Sequence, residues 1–239
     1  MLRNMPSHPE SIRGSTGNAT RDALIRSGER LFAERGIGGP PIRELLAAAG
    51  VRNKSALHYH FGDREGLVSA IVAGHGETLR VRRSLAFEPV VLDDAAGRIE
   101  RLCEVVVGPY CEFLADDERE WRYLVISAEV LADPTRPYED LQVLFNDPVL
   151  PRIVSLLLDR LDLPDRLATE RLVIGISQVI SAVATRARQQ LFGDGVRDLT
   201  PLEVFVANLV DMLVGSITAP VSPTTLAALE IAATGTTPR

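Results

Sequence analysis

Gly50-Val51-Arg52-Asn53-Lys54-Ser55-Ala56-Leu57-His58-Tyr59-His60-Phe61 is the stretch that decides how this chain is read, and Lys54 within it is the only lysine in the sequence. Leu57 and Phe61 stand one helical turn apart and define an apolar face. Lys54, Ser55, His58 and Tyr59 fall on the opposite side. Gly50 stands where a preceding helix ends in the left-handed conformation, and Val51 is an apolar anchor in the turn. Asn53 offers a side-chain oxygen to cap the helix after it. A short helix with one dry face and one polar, aromatic face suits insertion into the DNA major groove. The stretch therefore reads as the turn and second helix of a helix-turn-helix.

Upstream, Leu24, Gly28, Leu31 and Phe32 recur at helical spacing over about 20–35, with Thr20 as the expected N-cap. Gly36 ends that helix, and a Gly-Gly-Pro-Pro turn leads to a second one from Pro41 to Ala49, whose Ile42, Leu45, Leu46 and Ala49 share a face. Downstream, Gly62 and Asp63 open a long helix over about 64–87, and Glu88 to Asp93 with Pro89 reads as a linker. Further helices are expected over 94–115, kinked or broken at Pro109, and over 118–132. Two pieces are expected within 138–161, split by Pro148 and Pro151, then one helix over 165–192. Thr200 is the expected cap of a last long helix, with Pro201 at its first position and Glu203 completing a capping box. The tail allows a short helix over 224–233. No stretch alternates like a strand, so the expected class is all-α.

The net charge of −6 alone argues against nucleic acid, but its distribution does not. Residues 1–65 hold ten Lys+Arg against seven Asp+Glu, giving +3; the remainder holds sixteen against twenty-five, giving −9. A mildly basic head on an acidic body fits DNA contact at one end. Cys103 and Cys111 on one helix would lie about 12 Å apart, too far for a bridge, which suits a reducing cytoplasm. Residues 1–18 are polar with no apolar stretch of signal-peptide type, and are expected to form a disordered arm. Arg3 and Arg13 in it either enter a minor groove or stay solvated. The run Val204 to Ala219 is broken by Asn208, Asp211 and Ser216, too polar to span a membrane. Nucleophile-elbow, dinucleotide, P-loop and zinc-protease motifs are absent from the sequence, so an enzyme is the weakest reading. His58 and His60, two residues apart on a helix, do not share a side and make no metal pair. No cofactor or metal is expected.

The sequence resembles the TetR family of bacterial transcriptional regulators. The resemblance rests on Ala33-Glu34-Arg35-Gly36, Ile42-Arg43-Glu44-Leu45, Ala49-Gly50-Val51, Tyr59-His60-Phe61-Gly62 and Arg64-Glu65-Gly66-Leu67, within roughly residues 20–75. Two departures stand out: Arg52 is an extra residue before the recognition helix, and Pro40-Pro41 replaces the usual Ser or Thr at the second helix. The resemblance implies a three-helix helix-turn-helix DNA-binding head on a C-terminal helical ligand-binding and dimerisation domain. The expected division is 1–18 arm, 19–66 head, 67–219 body and 220–239 tail. It implies phosphate contacts from Tyr59, His60 and either Arg64 or the amides beside it. Base-edge contacts are expected from Lys54, Ser55 and His58, with Asn53 at the cap and Arg43 reaching the groove or backbone from the second helix.

The last long helix is apolar on nearly all sides, so one side needs cover beyond its own core. A two-fold homodimer supplies it. The expected interface draws on Ile176, Ile180, Val183 and Ala187 of one helix and Phe205, Leu209, Met212 and Leu213 of the other. A pocket for a small, mostly apolar effector draws its candidates from His75, Cys103, Tyr110, Phe113, Trp121, Tyr123 and Gln178. The expected function is a cytoplasmic, ligand-responsive repressor released from a palindromic operator. A helical ligand sensor or adaptor, or an activator with altered DNA binding, is the alternative.

Overall fold

The computed structural model of the chain describes residues 10–92, 99–136, 147–193 and 198–234. Its helices are α1 (Glu10–Arg35), α2 (Ile42–Ala48), α3 (Ala56–Phe61), α4 (Arg64–Leu92), α5 (Ile99–Cys111), α6 (Glu118–Leu131), α7 (Val149–Leu158), α8 (Asp165–Phe192), α9 (Leu202–Thr218) and α10 (Pro223–Thr234). There is no strand among the described residues, and the fold is all-α as expected.

In the head, α1 packs against α2, α3 and α4. Leu24, Phe32, Leu45, Leu57, Leu67 and Ile71 close around one another there, each essentially inaccessible to water. Burying a side chain of that size stabilises by about 1.5–3 kcal/mol, which is how a helix as short as α3 is held. In the body, α5 lies against α4 and α9, α6 packs most extensively on α8, and α8 pairs with α9. The head is not free of the body: α1 also packs along α6, and one apolar core runs from Leu24 through to Ile217.

Four boundaries differ from expectation. First, α1 starts at Glu10, so Thr20 lies inside it and is not its cap; residues 1–9 of the expected arm fall outside the described residues. No proline follows Pro9 in this stretch, and an interior glycine such as Gly14 or Gly17 costs only about 1 kcal/mol. Second, α4 runs through Pro89 to Leu92 instead of ending at a linker. The buried side chains of Phe87 and Val90 hold its last turns in place, against the backbone bond that the proline removes. Third, α5 passes Pro109 unbroken and then tightens into a 3-10 turn over Glu112–Ala115. Fourth, Pro201 occupies the cap position of α9 with no side-chain cap. Thr200 instead faces Arg186, whose guanidinium donates to the Thr200 carbonyl (2.6 Å) and hydroxyl (3.5 Å), so no capping box forms. The expected start of a helix at Tyr138 lies outside the described residues.

Candidate nucleic-acid interface

The turn between α2 and α3 is built by backbone chemistry. The Val51 amide donates to the Leu46 carbonyl (2.9 Å) and the Gly50 amide to the Ala47 carbonyl (3.0 Å). This paired closure needs a left-handed residue, and Gly50 has φ +68°. Asn53 acts one step earlier than expected: its side-chain oxygen accepts from the Ser55 amide (3.0 Å) and its carbonyl from the Ala56 amide (3.1 Å). Ser55 then holds the cap position with its hydroxyl uncommitted to the helix. At the other end, Asp63 caps α4 by accepting from the Gly66 amide (2.8 Å). A Cβ at residue 66 would lie 1.8 Å from the Phe61 carbonyl oxygen. Only glycine allows α3 to end so tightly on α4.

This frame turns one face of α3 outward. Asn53, Lys54, Ser55, His58 and Tyr59 are exposed, Tyr59 by 82 %, and Arg43 is exposed on α2. His60 is half-buried with its ring 4.9 Å from that of Tyr59, edge to face. The His58 Nδ1 lies 2.6 Å from the Gly62 carbonyl oxygen. A carbonyl only accepts, so Nδ1 carries the proton, and in the neutral ring Nε2 is left as an acceptor facing outward. The local charges are sorted in the same direction. Glu44 is paired with Arg35 (2.7 Å), Glu65 with Arg136 (2.5 Å), and Asp63 is spent on its cap. Arg43, Arg52 and Lys54 form no ion pair among the described residues. The surface around α3 is thus positive because its anions are neutralised and its cations are not.

Arg64 departs from the expected set. Its guanidinium donates to the Ile37 carbonyl (2.6 Å) and the Pro40 carbonyl (2.7 Å), and it sits over the Phe32 ring. It ties the α1–α2 turn from inside with two of its N–H donors.

The body candidates divide three ways. His75, Tyr110, Phe113, Tyr123 and Cys103 are buried in the core where α4, α5 and α6 meet, and Phe113 and Tyr123 are in edge contact at 5.2 Å. Trp121 is half-buried, with its indole N–H on the Leu114 carbonyl (3.2 Å). Gln178 is exposed on the outer side of α8 and does not join them. His75 is no open ligand contact either. It is bonded to Glu120 (2.7 Å) and Glu29 (3.1 Å), with Arg119 also on Glu29 (2.9 Å), and its ring stacks on Tyr123 at 4.8 Å. Burial works most strongly against a charge on His75, but the two carboxylates outweigh it and raise its pKa to about 9. Burial likewise opposes charge on Glu29, and His75 and Arg119 together overcome it, so its pKa is lowered. This cluster staples α1 to α4 and α6. A second tie is the Glu129 carboxylate accepting from the Ile37 amide (2.8 Å). Sequence reasoning missed Glu29 and Arg83. The signal was present: each is a charge set within an apolar helical stripe, Glu29 between Ile25 and Phe32, Arg83 between Leu79 and Phe87.

The expected interface residues also divide. Val183, Ala187, Leu209 and Leu213 are sealed in the protomer's own core. Ile176, Ile180 and Phe205 are half-buried, and Met212 is 54 % exposed. Besides Met212, the outward apolar residues of α8 and α9 are Val173 (60 %), Ile174, Phe192 and Val204. A helix apolar on all sides does not reveal in sequence which side faces home, and only Met212 belongs to both the expected and the outward set. α8 is also long and apolar enough to cross a membrane by length and composition alone, yet its packing on α6 and α9 uses one side as a core helix.

Residues 24–71 match the profile of bacterial regulatory proteins of the tetR family. No curated protein matches the sequence. Among solved structures, the chain is similar to the transcriptional regulator FadR from Bacillus subtilis in complex with stearoyl-CoA, at 16 % identity and TM-score 0.48, covering 82 % of this chain and 98 % of that one. It is similar to NalD, the secondary repressor of the MexAB-OprM multidrug efflux pump in Pseudomonas aeruginosa, at 16 % identity and TM-score 0.49, covering 86 % and 100 %. A regulator from Rhodococcus sp. shows 20 % identity and TM-score 0.43, covering 84 % and 100 %.

Proposed function

We propose, from the match of residues 24–71 to bacterial regulatory proteins of the tetR family, that this chain is a ligand-responsive transcriptional repressor that binds a palindromic operator as a homodimer. The observation that carries the reading is the outward face of α3, where Lys54, Ser55, His58 and Tyr59 are presented beside unpaired Arg43 and Arg52. Lys54, Ser55 and the His58 Nε2 acceptor meet base edges, the last suited to an amino group of adenine or cytosine. Tyr59 and His60 meet phosphates, as do the first amides of α4, while Arg64 only shapes the turn. The head takes in residues up to about 66 and the body residues 67–219.

Two copies join through Val173, Ile174, Val204 and Met212 of each, exposed apolar residues of α8 and α9. A small molecule in the body acts as effector. The reading is tested by a titration of the purified protein with duplex fragments that tile the region around its own gene, at several salt concentrations. Tight, salt-dependent binding to one fragment supports it, because counterion release makes affinity fall steeply with salt and base contacts single out one site.

A further inference from the structure

We propose that the seam between head and body holds a binding site for a small zwitterion, an α-amino acid with an apolar side chain, whose carboxylate meets Arg136 and whose ammonium meets Glu129. The site stands apart from the effector site in the body and does not depend on it. A cleft of about 450 Å³ opens at this seam. Gly38 and Glu65 line it from the head, and Glu129, Asp133 and Arg136 line it from the body. Glu129 lies in the last turn of α6, and the other two follow that helix. The walls are held by contacts that cross from head to body. Glu129 Oε1 accepts from the Ile37 amide (2.8 Å), and Arg136 Nη2 donates to Glu65 Oε2 (2.5 Å).

Each of these contacts uses only part of its charged group. Arg136 Nε is buried and has no hydrogen-bond partner among the described residues. Buried donors without acceptors are destabilising and rare. A guanidinium N–H can only donate, and an anionic oxygen is its strongest partner. On the body wall, Glu129 and Asp133 form no ion pair among the described residues. Glu129 has spent one oxygen on Ile37. Asp133 takes the Thr135 amide and hydroxyl on one oxygen, Oδ1 (2.9 and 2.7 Å). A carboxylate only accepts, so the second oxygen of each calls for a donor, and a cationic one binds it best. One cleft thus presents an unfilled donor on a cation and unfilled acceptors on two anions. A molecule with one charge of each sign satisfies both. A simple anion would face Glu129 and Asp133 unrelieved, and a simple cation would leave Arg136 Nε unfilled.

The rest of the ligand meets apolar surface. Ile37 and Val130 also line the cleft, and a Cβ placed on Gly38 would meet nothing within 4 Å. The volume falls in the ordinary range for small-molecule sites, about 300–1,000 Å³. An aliphatic side chain fits there, whereas a second charged end would find no further partner. A molecule held at both ends ties the α1–α2 turn to the end of α6.

The test uses the full-length protein with alanine, valine and leucine, read by calorimetry. Each is set beside its amide, which lacks the carboxylate, and beside the matching acid without the amine. At least one amino acid should bind about tenfold more tightly than both of its analogues, a difference of about 1.4 kcal/mol. Arg136→Gln should abolish the preference over the amide, and Arg136→Lys, which keeps the charge but lacks Nε, should still weaken it. Glu129→Gln should abolish the preference over the deaminated acid. Its amide oxygen still accepts from the Ile37 N–H, so that wall of the cleft stays in place. Gly38→Leu touches neither charge, has room for its Cβ and sits outside the left-handed region. It should weaken all three amino acids at a melting temperature close to that of the wild type. No binding by any amino acid, or equal affinity for an amino acid and its two analogues, overturns the proposal. So does binding that is unchanged in Arg136→Gln and Gly38→Leu, which would put the ligand elsewhere. No arm of the test uses DNA. Failure here leaves the reading of α3 standing, and a protein that binds no operator leaves the site standing.

Discussion

Tyr59 and Lys54 stand side by side on α3 but should fail in different ways. Tyr59→Ala is expected to weaken binding to all duplexes alike, because a phosphate contact carries no sequence information. Lys54→Ala should cost about 1–3 kcal/mol on the preferred sequence and relax the choice at one base pair; binding measured on a set of single-base operator variants checks both. His75 makes the sharpest pH prediction. Its folded pKa, about 9, lies above the ordinary value of 6.5 because Glu120 and Glu29 outweigh the burial that opposes its charge. A raised pKa means the stabilisation is fully present below about pH 6.5 and is lost as pH rises through about 9. The melting-temperature difference between wild type and His75→Asn should therefore be largest near pH 6 and shrink toward pH 9 and above. At this scale the outward face of α3 was legible in the sequence, since a one-turn apolar spacing separates Leu57 and Phe61 from Lys54, His58 and Tyr59. The inward turn of Arg64 was not. Its partners are the Ile37 and Pro40 carbonyls, and backbone acceptors leave no trace in side-chain pattern.

Among the elements, α2 and α8 were legible almost to the residue, because Gly, Pro and Asp mark their ends, whereas α3 starts two residues past the expected cap at Asn53. α4 runs past its expected stop, since Pro89 lies in a turn anchored by Phe87 and Val90, and tertiary burial overrides the local signal. The faces of α8 and α9 were not legible for a different reason. Both carry apolar residues around most of their circumference, so spacing alone does not choose an inner side. The structure's choice changes the mutational test. Leu209→Glu puts a charge in the protomer's own core and should abolish folding. Met212→Glu or Ile174→Glu places a charge on the outer face, and should give a folded monomer in sedimentation under conditions where the proposed wild-type dimer forms. A separate test belongs to the α1–α2 turn. Arg64→Ala leaves two part-buried carbonyls without their donors and should lower stability by about 1–3 kcal/mol, visible as a lower urea midpoint.

Across the whole molecule, the head is joined to the body along α4 and again where α1 meets α6, at the Glu29–His75–Glu120–Arg119 cluster and the Glu129–Ile37 bond. Only the first joint was legible in the sequence, because the second is made by residues about ninety positions apart. A ligand that moves α4 against α6 turns the head, and half-sites on B-DNA tolerate little change in the spacing of two heads. Linkage then requires reciprocity: an effector that weakens DNA binding is itself bound less tightly, by the same factor, when operator is present. Titrating an effector with and without operator duplex measures both. Whether α3 reads DNA is decided by fluorescence anisotropy of labelled duplexes tiling the flanks of the gene, titrated with wild-type protein and with Lys54→Ala at several salt concentrations. One fragment should be bound about a thousandfold or more tighter than the others. Its affinity should fall steeply with salt, and Lys54→Ala should lower the preference by about 1–3 kcal/mol. Folded wild-type protein that binds no fragment even at low salt, or a preference unchanged in Lys54→Ala together with an affinity unchanged in Tyr59→Ala, would contradict it.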